Sequence, residues 1–539
     1  MPLDRSIDVN FDTPDVSIIL NSNVYDPGYA WGVPRSLDRA RDGVDRDEIR
    51  SLAYYRTRVS NDICSYFDTD FWYNLVLQVS EEEPIVRHAL LALSALYEAG
   101  ETSQLLNHPS SNDRYNTLMR FAIYHHNNAI STLLRRIGTD GPLLEVLIMT
   151  CLIFTWIEFV RDNVDDSLRH LHSGLRILCE QRQLIGSRVV IEHMAKIVGR
   201  VLIQATLHRS SSIEFDYYAT VGHNPVAGTL SFTTLREARC DIDGKISSAL
   251  HFLRRIEGAG FAELRHKCCA FPDLPCLKCM HQTHIHEFDQ WKVAFESLRD
   301  RLNINALTAD ALQALHQLEL SYLLISNTFD TLFATTPMVF DKYNDVYGRI
   351  LYLSRWILQH QVLRRSTSLF TFPFGNGVQG ALLNIVLRCR HLPIRREAVH
   401  LLQLCPDNEG IWQRTSLITF CNWKINIEEK GRPRGALETD PLPENARVYA
   451  ERAREVVRES QTLVAISFKR GAWSSISDVE LDEEVVPNVS MRLVGLLGMR
   501  GALSLRPAVE LKAQNLDNKN IYCSPTNLLS VTRSDPGSM

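Results

Sequence analysis

The sequence predicts an all-α fold, one large multi-helix domain, and three observations predict it. Helix caps and stops recur along the chain, apolar residues repeat at i, i+3, i+4 and i+7, and period-two alternation is rare. Ser80-Glu81-Glu82-Glu83-Pro84 offers an N-cap serine, a glutamate three residues on and a proline for the first turn. Behind it Ile85, Ala89, Ala92, Leu93 and Leu96 share one face, and Gly100 supplies the stop. A second helix is expected from about Tyr115 to Ile137, ending at Gly138. The stretch from Pro142 to Val160 follows, then a helix over about Asp166–Leu184. Further amphipathic stretches cover Phe232–Ile256, His286–Leu302, Ala309–Thr335, Asp341–Arg364, Gly380–Arg390 and Pro393–Leu404. The best strand-like run, Leu369–Phe374, holds Pro373, which bars it from the middle of a sheet. No strict repeat period marks a solenoid.

With 45% hydrophobic and 22% charged residues the chain has material for a large core. A net charge of -5 and a pI near 6.4 give no global attraction to phosphate, and no basic stripe appears. Direct nucleic-acid binding by this polypeptide is therefore not expected. The twelve cysteines are scattered, and Cys64, Cys151, Cys179, Cys389 and Cys421 lie in apolar runs, as buried reduced thiols do. The N-terminus lacks the basic start and long apolar stretch of a signal peptide. Val146–Ile157, the charge-free part of the most apolar stretch, falls short of the roughly 20 residues that span a bilayer. It reads as a helix buried in protein, and the expected compartment is the nucleus or the cytosol.

Three segments are expected. Residues 1–50 are rich in Asp, Pro and Gly and read as a flexible acidic arm. Phe11, Ile18, Leu20, Tyr25 and Trp31 among its acids suit a segment that folds on a partner, and a plain linker fits as well. Residues 51–430 form the helical body. Residues 431–539 comprise a linker rich in Gly and Pro, a C-terminal extension and a polar tail expected to be disordered.

Little catalytic chemistry is legible. Gly375-Asn376-Gly377-Val378-Gln379-Gly380 spells GxGxxG, but that string signals a dinucleotide only between a strand and a helix of a βαβ unit. In helical surroundings it reads as a glycine-rich turn before a helix. No GxxxxGK[ST], HExxH or GxSxG occurs. The residues with metal chemistry are His266, Cys268, Cys269, Cys276, Cys279, His281, His284 and His286. Cys276-x-x-Cys279 places two thiolates for one tetrahedral zinc, and Cys269 and His284 complete a candidate set. One CxxC without a second is an incomplete signal, and a loop carrying incidental thiols and histidines is the competing reading. Four closed ligands would make any such zinc structural, and a metal-binding enzyme is the remotest function considered.

Three ordered motifs carry a resemblance. Phe71 and Trp72 precede Glu83, Pro84, Val86, Arg87, His88 and Ala89. Next come Cys151, Leu152, Phe154 and Glu158, followed by His170, Leu171, Ser173, Gly174, Leu175 and Leu178. The third comprises Cys389, Arg390, Arg395, Arg396, Ala398, Leu401 and Leu402, then Glu409, Gly410 and Trp412. Together they resemble the fungal-specific transcription factor domain, the regulatory region of zinc-cluster (Zn2Cys6-type) regulators. The chain departs from that pattern at His391, where Asp or Asn is usual, and at Gln413, where Asp is common. It also lacks the six-cysteine DNA-binding module: Cys269-x6-Cys276-x2-Cys279 gives one half in reversed order.

The resemblance implies nuclear control of transcription, often of a gene set such as a secondary-metabolite cluster, with partners in the transcription machinery. A helical adaptor that dimerises with a zinc-cluster regulator is the alternative. No cofactor and no membrane are implied.

The third motif also has a physical reading of its own. Ile394, Ala398, Leu401 and Leu402 make a core-facing stripe after Pro393. Arg395 and Arg396 stand in its first turn, where the helix dipole disfavours cations, so they need anionic partners. Glu409, Glu428 and Glu429 are the candidates for an ion-pair network, and an anion or effector pocket lined by Arg390, Arg395 and Arg396 is the functional reading. His88 and His170 are expected as core histidines, and Trp72 and Trp412 as core anchors.

Overall fold

A computed structural model describes residues 46–64, 66–103, 109–139, 144–180, 189–208, 230–258, 277–334, 336–364, 370–371, 377–409, 412–458, 461–470 and 482–486. Nearly all of the expected arm and the tail beyond residue 486 lie outside them. The described chain is almost entirely helical. It opens with α1 (Arg46–Tyr54), a π-turn at Tyr55–Val59 and α2 (Ser60–Ile63). A second π-turn, Asp70–Leu75, carries Phe71 and Trp72 into α3 (Val76–Glu82). Then come α4 (Pro84–Ser103), α5 (Pro109–Ile137), α6 (Leu144–Val160), α7 (Val164–Glu180) and α8 (Val189–His208). The second half contains α9 (Leu235–Gly258), α10 (Leu277–Arg301), α11 (Ala309–Asp330) and α12 (Asn344–Arg364), then α13 (Gln379–Arg388), α14 (Leu392–Leu404) and α15 (Arg414–Glu429).

Pro84 opens α4 as expected, but Ser80 is not its cap. Ser80 lies inside α3, where its hydroxyl donates to the Leu77 carbonyl at 2.7 Å. Glu83 takes the capping position instead, its carbonyl accepting the Arg87 N–H at 3.0 Å. Helix α6 is apolar all round, so its only stable place is in the interior, and Val146, Ile148, Met149, Leu152, Ile153, Trp156 and Ile157 are all buried. No described helix is long and apolar enough to cross a membrane. Helix α7 buries Leu168, Leu171, Leu175 and Leu178 along one stripe. Gly174 lets it approach α6 closely, since a Cβ there would stand 3.1 Å from the Cys151 Cβ.

The apolar side chains form two large cores. The larger joins Trp72, α4, α6, α7, α13, α14 and α15. The other is built by α9, α10 and α11 around Phe252, Phe288, Trp291 and Phe329. Of the cysteines expected to be buried, Cys389 and Cys421 are, while Cys64, Cys151 and Cys179 are partly exposed.

Strands appear where little or none was expected. Phe370–Thr371 (β1) pairs in parallel with Asn408–Glu409 (β2), which pairs antiparallel with Trp412–Gln413 (β3). Only this part of the Leu369–Phe374 run is described, and it is an edge strand, as Pro373 requires. Val448–Arg458 (β4), Gln461–Arg470 (β5) and Asp482–Val486 (β6) form an antiparallel meander. Val464, Ile466 and Phe468 alternate onto the inner face of β5 and join the larger core with Val448. The charged, alanine-bearing run of β4 has helical composition; pairing with β5 overrides that preference.

Candidate functional site

The third motif folds into a buried charge cluster. Arg395 rises from the first turn of α14 to Glu428 near the end of α15, with Nη2 and Oε2 2.7 Å apart and both side chains fully buried. Glu428 also receives Lys424 from one turn earlier at 3.4 Å, Arg447 at 3.3 Å and the Val448 N–H at 2.9 Å. Burial alone would push its carboxyl up. Arg447, Lys424 and Arg395, with that N–H, reverse the effect and hold it at about 2. Arg447 further donates to the carbonyls of Leu387, at 2.9 Å, and Arg388, at 3.1 Å, so one glutamate ties α13, α14, α15 and β4 together.

The arginines thus have unequal partners. Arg390, buried, forms an ion pair with Asp341 and a hydrogen bond to the Leu442 carbonyl. Arg396 meets Glu438 at 2.6 Å with both side chains more than half exposed. Among the described contacts, Glu428 is the candidate acid that pairs with an arginine of the expected set. Glu429 instead binds Arg432 at 2.5 Å. Glu409 accepts the Gln379 N–H at 3.0 Å and so caps the start of α13. Among the described residues no single pocket is lined by all three arginines, because Arg390 and Arg395 are committed inside. Arg396 alone borders an open cleft of about 330 Å³ with His400, Asn422 and Asn426.

The glycine string, described from Gly377 on, serves the same motif. A Cβ on Gly377 would fall onto the Glu409 carboxylate, and one on Gly380 would stand 3.2 Å from the Trp412 indole. The residues are a packing cradle for Glu409 and Trp412 at the head of α13.

Of the metal candidates, Cys269 and Cys276 lie outside the described residues, as do His266 and Cys268. Cys279 and His284 stand on α10, which begins at Leu277, well before the expected His286. His284 is buried against Phe252 and Phe329, with ring centroids 5.3 and 5.4 Å away. His281 Nε2 is 2.8 Å from the Phe329 carbonyl. Among the described residues no three potential ligands gather.

The other motifs are structural at every described contact. Trp72 packs edge-on against Phe71 and Trp156, with centroids 4.8 and 6.0 Å away. Arg87 pairs with Glu48 at 2.7 Å, and Glu83 with Arg136. His88 and His125 face each other with Nδ1 atoms 2.8 Å apart. His170 sits edge-on to Phe154 and His126 likewise, and burial pushes both imidazoles down to about 4.

Residues 50–222 match the family described as the fungal specific transcription factor domain. The chain therefore carries that regulatory domain over this segment, within a large helical fold. No curated protein and no solved structure matches the chain.

Proposed function

We propose that this chain is the regulatory region of a nuclear transcriptional regulator, working through protein partners and not as an enzyme. The observation that carries the reading is the match over residues 50–222, together with the continuity of the core beyond it. Trp72 and Leu152 of the matched segment share one core with Leu382, Leu401 and Phe420 of the later helices. The regulatory unit accordingly extends through the third motif to the sheet at Phe468. With a net charge of -5, recruitment to promoters is assigned to a partner, a zinc-cluster regulator being the class the resemblance favours. Control of a single-pathway gene set, such as a secondary-metabolite cluster, belongs to the same proposal.

The test joins the chain to an unrelated DNA-binding domain beside a reporter in fungal cells. Reporter output should change, in either direction, and a fluorescent fusion of the chain alone should collect in the nucleus. Purified chain should bind duplex DNA no better than non-specifically, about 10⁻⁴–10⁻⁶ M at physiological salt. An inert fusion, or sequence-specific retention by the chain alone, would overturn the corresponding part of the proposal.

A further inference from the structure

Arg388, the last residue of α13, differs from its neighbours Arg390 and Arg395. It is 6% exposed, and among the described residues no carboxylate pairs with it. Its Nη1 reaches only neutral oxygens: the Asn327 side-chain and main-chain oxygens at 3.3 and 3.5 Å and the Thr331 hydroxyl at 3.3 Å. The guanidinium lies 5.6 Å over the Phe340 ring. Its Nε is buried without a hydrogen-bond partner, and the Tyr347 hydroxyl and the Asn327 side-chain amide, in contact with each other, are buried beside it. Tyr347 is 0% exposed and Asn327 3%.

These donors come from α11, α12 and α13, and the same residues act on one another. Arg388 and Asn327 both bear on the Tyr347 phenol, which burial holds well above its ordinary range and so keeps protonated as a donor. Arg447, bonded to the Arg388 carbonyl, adds positive potential beside them. A buried cation without a counter-ion is among the costliest arrangements in a protein interior. Whatever completes the junction must accept from the Arg388 Nε–H and carry negative charge. A water molecule can accept that bond but brings no charge. We propose that the junction of Arg388, Tyr347 and Asn327 binds one small monovalent inorganic anion of the halide class.

Bound there, the ion neutralises Arg388 and fastens α11, α12 and α13 to one another. The experiment melts the full chain at fixed pH and ionic strength in sodium chloride, sodium bromide or sodium gluconate. Chloride and bromide should raise the melting temperature by about 2 °C or more over gluconate, saturating with concentration, as ligands of the native state do. Arg388→Met should abolish the halide increment, and Tyr347→Phe should raise the half-saturating concentration several-fold. Equal melting in halide and gluconate would overturn the proposal, as would a full halide increment in Arg388→Met, which would place the ions on the surface. Should Arg388→Met fail to fold, Tyr347→Phe decides: an unshifted halide titration overturns the site. Crystals grown in bromide give an independent reading, an anomalous peak within hydrogen-bond distance of Arg388 Nε supporting the site and its absence refuting it.

Discussion

Arg395 Nη2 lies 2.7 Å from Glu428 Oε2, and neither side chain is exposed to solvent. Removing one partner of a buried pair leaves the other charged and desolvated, at a cost of roughly 3–5 kcal/mol. Urea denaturation should show Arg395→Ala and Glu428→Ala each losing about that much, with the double variant losing less than the sum. Arg396→Ala should lose only about 0–1 kcal/mol, because its partner Glu438 is as exposed as it is. Equal losses at 395 and 396 would contradict this division.

Acid should act first through histidine. Burial lowers His126, His170 and His316 to about 4 from an ordinary 6.5. The unfolded chain then binds protons that the folded chain refuses, so stability present above pH 6.5 is lost as pH falls toward 4. Glu428, held at about 2 against an ordinary 4.5, adds a second loss between those values. Melting temperatures from pH 7.5 down to 4 should fall steadily, and His126→Gln with His170→Gln should flatten the upper part of the slope. An unchanged slope in that double variant would rule out the assignment.

Glycine is required at 377, where a side chain would displace the Glu409 carboxylate from the head of α13. Gly377→Ala should destabilise by about 1–3 kcal/mol, as overpacking does. Gly380→Ala, with 3.2 Å to Trp412, should cost less, and Gly348→Ala, with open space around it, should not destabilise the helix. Thermal melts of the three variants check the order.

Deleting everything after Pro443 should abolish the soluble fold. It removes Arg447 from the Glu428 cluster and uncovers the core that Val448, Val464, Ile466 and Phe468 close. A deletion variant with native melting behaviour would show the sheet to be an appendage.

Much of the helical body was readable because a helix that must bury a stripe writes it at i, i+3 and i+4, as α7 and α14 do. Helices α8 and α15 and the start of α10 were not drawn from the sequence. In α15 the apolar pattern is interrupted by Lys424 and Glu428, polar residues that earn burial only through Arg395 and Arg447. That Arg395 needs an acid follows from its place in a first turn. Which acid answers depends on how α14 and α15 cross, so Arg396 was expected to be as tightly held and is not. The meander was missed because β4 has helical composition and its pairing with β5 is set by long-range contacts. Arg388 is illegible for a related reason: a cation at the end of a helix looks ordinary until its described surroundings prove to hold no carboxylate.

Helix α11 presents Leu320 to the larger core and Leu315, Leu318 and Phe329 to the other, while Leu323 touches both. A single rigid rod thus serves as a shared wall, and neither compartment can loosen without the other registering it. The chain should melt in one cooperative step, the two cores losing their order together.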